Sequence, residues 1–174
     1  MPGLTPQKAF EDFRKPIDEA VRCLHPSIRL RERWYAANKS VYLGSPQATG
    51  IPFKANNAPG YKLELQFQLN VVSCDEGFRM STNRYIHEIK GPRSDVRVAA
   101  WHWHPDVKNS SVAYPHFHLP DKTPFSTKHF PSGRITVEEI IRFVITEMEA
   151  EPTNNRWAES LDESEALHKL HRSW

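Results

Sequence analysis

Only two cysteines occur in the 174 residues, Cys23 and Cys74, and neither belongs to a Cys-x-x-Cys unit. That scarcity excludes a disulfide framework and a cysteine zinc site, and it points to free thiols in a reducing compartment. No apolar run approaches the roughly 20 residues of a membrane-spanning helix. The chain opens on Met1-Pro2-Gly3-Leu4-Thr5-Pro6 rather than on an apolar signal segment. A cytoplasmic protein with no membrane association is expected, which leaves the glycosylation-like Asn109-Ser110-Ser111 without meaning. Charge of one sign is also lacking: the formal net charge is +2, too small to imply nucleic-acid binding by itself. With 39% apolar and 25% charged residues, the chain reads as one ordinary soluble domain over 1–174.

What is present in excess is histidine, and its spacing is specific. Two matching units stand close together, Trp101-His102-Trp103-His104-Pro105 and Tyr114-Pro115-His116-Phe117-His118-Leu119-Pro120. On a strand, residues two apart point the same way, so each His-x-His sets both imidazoles on one face. Trp103 and Phe117 then face the other side, toward a core. If 106–113 turns the chain back, an antiparallel pairing with an even residue sum brings all four imidazoles onto one surface. No further internal repeat is visible.

Around these units the periodicities describe an α+β protein. Phe10, Phe13, Ile17, Ala20, Val21 and Leu24 recur at helical spacing, so 5–24 is read as a helix capped by Thr5, with a kink or restart at Pro16. Strands are expected at 28–35 and 40–43, then a long loop over 45–60. The clearest strand is 61–71, where Tyr61, Leu63, Leu65, Phe67, Leu69 and Val71 alternate with polar residues. A loop over 74–83 leads to strands at 84–90 and 95–104, joined by a turn at Gly91-Pro92-Arg93-Ser94. Closing that turn between Lys90 and Asp95 would put Tyr85 and His87 beside the histidine cluster. After a proline-rich link, Thr136 and Glu139 form a capping box ahead of an amphipathic helix down to Pro152. A weaker, partly free helix is expected over 154–171, on Trp157, Leu161, Leu167 and Leu170. The architecture expected is a curved antiparallel sheet of five to six strands, spanning 28–119, with helices packed on one face.

Three chemistries fit His102, His104, His116 and His118. Imidazoles can ligate a divalent transition metal, with a carboxylate from Glu88, Asp106 or Asp121. No His-Glu-x-x-His helix or Cys/His quartet supports that reading. Without a metal, one histidine can accept a proton while another donates one, with Arg84, Arg97, Lys90 or Tyr85 stabilising a phosphoryl group. The histidines can also be inert and hydrogen-bonded inside a non-catalytic subunit that docks a protein or nucleic acid through its aromatic sheet and the 45–60 loop. His129 is a loop residue close in sequence to the cluster, whereas His25, His168 and His171 carry no assigned role. Arg29, Arg31 and Arg33 alternate with apolar and acidic residues, so a strand there shows a basic row able to follow a phosphate backbone. The same row also suits the solvated face of an edge strand.

From Arg84 onward the chain resembles the TumE-type toxins of toxin–antitoxin systems. The resemblance rests on Arg84-Tyr85-Ile86-His87-Glu88-Ile89-Lys90, on His116-Phe117-His118, on Phe130-Pro131-Ser132-Gly133 and on the helix of 135–149. It implies a small prokaryotic α+β toxin with ribonuclease activity, an antitoxin partner, and His116 and His118 as site residues. The longer part before residue 84 would extend the sheet or hold a partner surface. The expected activity is RNA cleavage by the paired histidines without a cofactor, with Arg29, Arg31, Arg33, Arg84 and Arg97 contacting RNA.

Overall fold

A computed structural model of the chain describes residues 2–37, 39–47, 49–92, 96–105 and 112–173, with the side chains of 172 and 173 outside that set. The turn at 93–95, Asp106 and Asn109-Ser110-Ser111 lie outside the described residues. Helices are α1 (Pro6–Arg22), α2 (Val137–Thr146) and α3 (Trp157–His171). Strands are β1 (Arg31–Tyr35), β2 (Ser40–Gly44), β3 (Ile51–Ala55), β4 (Ala58–Cys74), β5 (Gly77–Lys90), β6 (Arg97–Trp103), β7 (His116–His118), β8 (Phe130–Pro131) and β9 (Arg172–Ser173). They form one sheet in the order β1-β2-β4-β5-β6-β7-β8, antiparallel throughout, with β3 also paired to β4 and β9 added parallel to β5. The α+β architecture with a one-sided helical layer is as expected, but the sheet has more strands than five to six.

The additional strands come from segments whose turn chemistry was read as loop. Within 45–60, Ile51–Ala55 and the start of β4 form a hairpin whose two turn residues, Asn56 and Asn57, take φ of 46° and 58°. Asparagine tolerates that left-handed pair, as a tight hairpin of primed type requires. Likewise 74–83 is not a loop. Cys74 pairs with Gly77 across a two-residue turn, and Gly77 takes the φ of 134° that a side chain would resist.

One core lies between the sheet and the helices. Leu63, Leu65, Phe67 and Leu69 of β4 are buried against Phe13, Ile17 and Val21 of α1 and Ile140, Ile141 and Val144 of α2. Phe13 meets Phe67 edge-on at 6.2 Å, and Trp101 of β6 meets Phe143 of α2 at 5.8 Å, so these odd-numbered positions face the helices. α1 runs through Pro16 without a break, and the Pro16 carbonyl accepts a hydrogen bond from Ser164 of α3. α3 is therefore not free. It packs on α1 through Leu161, Ser164 and His168, while Leu167 and Leu170 of the expected stripe stay exposed. His168 Nδ1 lies 3.2 Å from the Glu138 carboxylate, which also accepts from Ser164, in a buried ionic cluster that no sequence motif announces. No helix of the described residues is long and apolar enough to cross a membrane.

The capping box at α2 forms as read: Thr136 Oγ1 accepts from Glu139 N at 3.1 Å, and the Glu139 carboxylate accepts from Thr136 N at 2.6 Å. Thr136→Ala is expected to cost about 1 kcal/mol. A urea titration should show it as a lower midpoint with an unchanged slope.

Candidate functional site

The sheet's second face is turned away from the helices, and register decides what it carries. β6 pairs with β7 through Ala100↔His118, Trp101↔Phe117 and His102↔His116, an even-sum register that brings the paired histidines together. β7 in turn pairs with β8 through His116↔Pro131 and Phe117↔Phe130, which sets His129 one step further, beside His118. The ring centroids confirm the cluster. His102 lies 4.6 Å from His118 and 5.6 Å from His116, and His104 lies 5.0 Å from His116. His129 sits 4.7 Å from His116 and 4.8 Å from His118, so it belongs to the cluster as a fifth imidazole.

Tyr85 and His87 do not join it. β5 pairs with β6 through Tyr85↔Trp103, Ile86↔His102 and His87↔Trp101, so Tyr85 and His87 share the helix-facing side with the tryptophans. Near the turn the pairing Lys90↔Arg97 has the expected parity. The irregularity between Ile89↔Ala99 and Lys90↔Arg97 then inserts Val98, and one inserted residue reverses every later facing. His87 is fully buried, stacked on Tyr85 at 4.9 Å and edge-on to Phe67 at 4.7 Å.

Two cross-strand rows now cross the outer face. One runs Arg31–Gly44–Gln66–Ile86–His102–His116, and the other runs Arg33–Tyr42–Gln68–Arg84 and ends toward His104. With strands about 4.8 Å apart, four spacings carry a row about 19 Å from Arg33 to β6. Tyr42, Gln66, Gln68, Arg84 and Ile86 line a depression midway. Arg84 makes no hydrogen bond or ion pair among the described residues, and Arg33 lies over the Tyr35 ring at 5.2 Å. Two of the expected arginines stand outside these rows. Arg29 precedes β1, where its charge acts on Asp18 of α1, and so stands outside the row. Arg97 is committed to structure: its guanidinium pairs with Asp121 at 2.9 Å and donates to the Ser126 carbonyl at 2.8 Å. That clamp holds the segment leading to His129 against β6.

The imidazoles are not a saturated hydrogen-bond network. His116 Nδ1 lies 3.0 Å from the Tyr114 carbonyl, which can only accept, so Nδ1 carries the proton and Nε2 keeps its lone pair. That Nε2 is buried and has no partner of good geometry among the described residues, and the same is true of His104 Nδ1 and His118 Nδ1. His102 Nε2 lies 3.3 Å from Glu88 Oε1. Burial holds His104, His116 and His118 below the ordinary histidine range, His118 at about 4, with the His102 charge acting in the same direction. The His102 hydrogen bond holds the Glu88 carboxyl below its usual value, against burial. Near neutral pH His104, His116 and His118 are therefore neutral imidazoles, and the ionised Glu88 carboxylate borders the cluster beside His102. Inert structural histidines would be expected to have paired nitrogens.

Sequence reasoning named four imidazoles of the cluster and noted His129 only as a loop residue close by in sequence. It missed Tyr42, Gln66 and Gln68, which come from strands far away in the chain and carry no motif. Comparison with protein-family models, curated proteins and solved structures finds no match to this chain.

Proposed function

We propose that the chain binds single-stranded RNA across the outer face of its sheet and cleaves it at the histidine end. The observation that carries this reading is the sharing of one face by Arg31, Arg33, Arg84, Tyr42 and the imidazole cluster. Guanidiniums follow phosphates, and an aromatic ring on a sheet stacks an unpaired base without regard to sequence. The path leads from the arginine edge over Tyr42 and Arg84 to His104 and His102.

At that end two imidazoles fit an acid–base division of labour. His104 Nδ1, buried and unpartnered, accepts the proton of a ribose 2′-hydroxyl as its oxygen attacks the adjacent phosphorus. His102, oriented by Glu88, gives a proton to the 5′-oxygen as the P–O bond breaks. The products are a 2′,3′-cyclic phosphate and a free 5′-hydroxyl, with one proton taken up and one released. Arg84, adjacent to His104, steadies the charge on the phosphoryl oxygens. In the setting of the TumE-type toxins that the sequence resembles, the substrate is cytoplasmic RNA, and an antitoxin is the protein partner that covers this face.

The test is binding and cleavage of a labelled single-stranded RNA oligonucleotide at several salt concentrations. Wild type is expected to bind with strong salt dependence, and the Arg31→Ala/Arg33→Ala/Arg84→Ala variant to lose about 2 from the slope of log affinity against log salt. An unchanged slope, or a wild type that neither binds nor cleaves the oligonucleotide, would overturn the reading.

A further inference from the structure

The two histidines that the cleavage scheme leaves unused, together with His129, have a separate use. We infer that His116, His118 and His129 bind one divalent transition-metal ion of the zinc class, through Nε2 of His116, Nδ1 of His118 and a ring nitrogen of His129. This goes beyond RNA binding and does not depend on it.

Geometry supports the set. One ligand atom from each of these three residues can be chosen so that all lie within 4.8 Å of one another. Nitrogens around a tetrahedral zinc are about 3.3 Å apart, from bonds of about 2.0 Å. The required closure is therefore within about 1.5 Å. His129 can supply it, being exposed and in the loop before β8 while its two partners are fixed in β7. The tautomer is already set at His116, whose Nδ1–H donates to the Tyr114 carbonyl. That is the outer hydrogen bond metal-binding histidines ordinarily make. Among the described residues, the buried Nε2 of His116 and Nδ1 of His118 have no hydrogen-bond partner, and a metal ion would satisfy both. An all-imidazole set selects zinc, copper, nickel or iron over the oxygen-seeking magnesium and calcium.

A second grouping, His102, His104 and His116, also meets the distance criterion. His116 has only one free nitrogen, so the two groupings compete for a single ion. The second grouping has the Glu88 carboxylate beside His102, which favours a cation, and the Arg84 charge acting on His104, which opposes one. The first is preferred because its third ligand, His129, is exposed and can adjust, and because Asp121 pairs with Arg97, the guanidinium that acts on His118. Three neutral histidines leave the ion at least one position for water or a phosphate oxygen, the arrangement of catalytic rather than structural zinc.

The experiment is titration of chelator-treated protein with Zn²⁺, followed by calorimetry and by elemental analysis after dialysis, with Co²⁺ absorption as a spectroscopic signature. One ion per chain is expected. His116→Ala, His118→Ala and His129→Ala should each weaken binding by more than about tenfold, while His104→Ala keeps the ion. Because His129 is exposed, His129→Ala tests the site without disturbing the core. Absence of stoichiometric Zn²⁺ and Co²⁺ binding to folded wild type, or full binding by His129→Ala, would overturn the inference. Zinc bound by a protein that leaves RNA intact would uphold the site and sink the ribonuclease. Cleavage by a protein that binds neither ion would do the reverse.

Discussion

His102→Ala is expected to lower single-turnover RNA cleavage by about 10² to 10⁴-fold, the usual worth of a positioned acid, with RNA affinity little changed. The reason lies in the register. Among the described residues, His102 is the imidazole of the outer face that touches an ionised carboxylate, Glu88, at 3.3 Å. Glu88 comes from the neighbouring strand β5 and stands opposite Ala100, which leaves room beside it for the His102 ring. The contact holds the ring in place through Nε2, so removing the ring removes both the proton donor and the group that Glu88 orients. None of Arg31, Arg33 and Arg84, the proposed phosphate contacts, is affected, which is why affinity should hold. Glu88→Gln keeps a hydrogen-bond acceptor but not the charge, and a smaller loss is expected from it. The fold should tolerate both changes, since His102 and Glu88 lie on the face turned away from the helices, and circular dichroism can establish that directly. Cleavage by folded His102→Ala at the wild-type rate would remove His102 from the chemistry.

The second large effect concerns the opposite face. Acidification from about pH 7 to about pH 4 is expected to destabilise the metal-free protein, with on the order of 3 kcal/mol of that loss arising at His87. Burial holds His87 at about 3, helped by the His102 charge, against an ordinary value of 6.5. Its folded value is depressed, so between those two limits the unfolded chain binds a proton that the folded chain refuses. Stability therefore falls as pH falls through 6.5 and continues to fall until about 3. His104, His116 and His118 act with the same sign. Glu138 adds to it at lower pH: burial raises its carboxyl, but the His168 hydrogen bond and charge outweigh burial and leave it depressed, so its contribution is lost as it protonates. His87→Phe keeps an aromatic ring between Tyr85 and Phe67 and removes the titration. Urea unfolding at both pH values should show the gap between them narrowed by about 3 kcal/mol in that variant. An unchanged gap would mean that His87 is protonated in the fold.

The histidine site was legible as pairs, and as a cluster of four only on the condition of an even-sum register, which the pairing His102↔His116 supplies. The alternation in Trp101-His102-Trp103-His104 already divides tryptophans from histidines, because side chains on a strand alternate whatever the strand's neighbour is. That His87 is not beside His102 depends on Val98, a single inserted residue with no signature of its own. The fifth imidazole, His129, reaches the others because Arg97 holds Asp121 and Ser126, a contact between segments that sequence order separates. Arg31 and Arg33 were readable as a row, whereas their alignment with Arg84 required β2 and β4 to lie between them.

The periodicities of α1, β4 and α2, the Thr136–Glu139 cap and the facing of each His-x-His follow from the sequence alone, because each depends on residues within a few positions of one another. Tertiary structure alone decided the rest. It set β3 against the first half of β4 and β2 against the second, joined Glu138 to His168 inside the core, and aligned the arginine edge with the imidazoles. Those outcomes are set by which strands pair and in what register. That choice is made by the total burial of a whole sheet face and the closure of distant segments, energies that no local window of sequence contains.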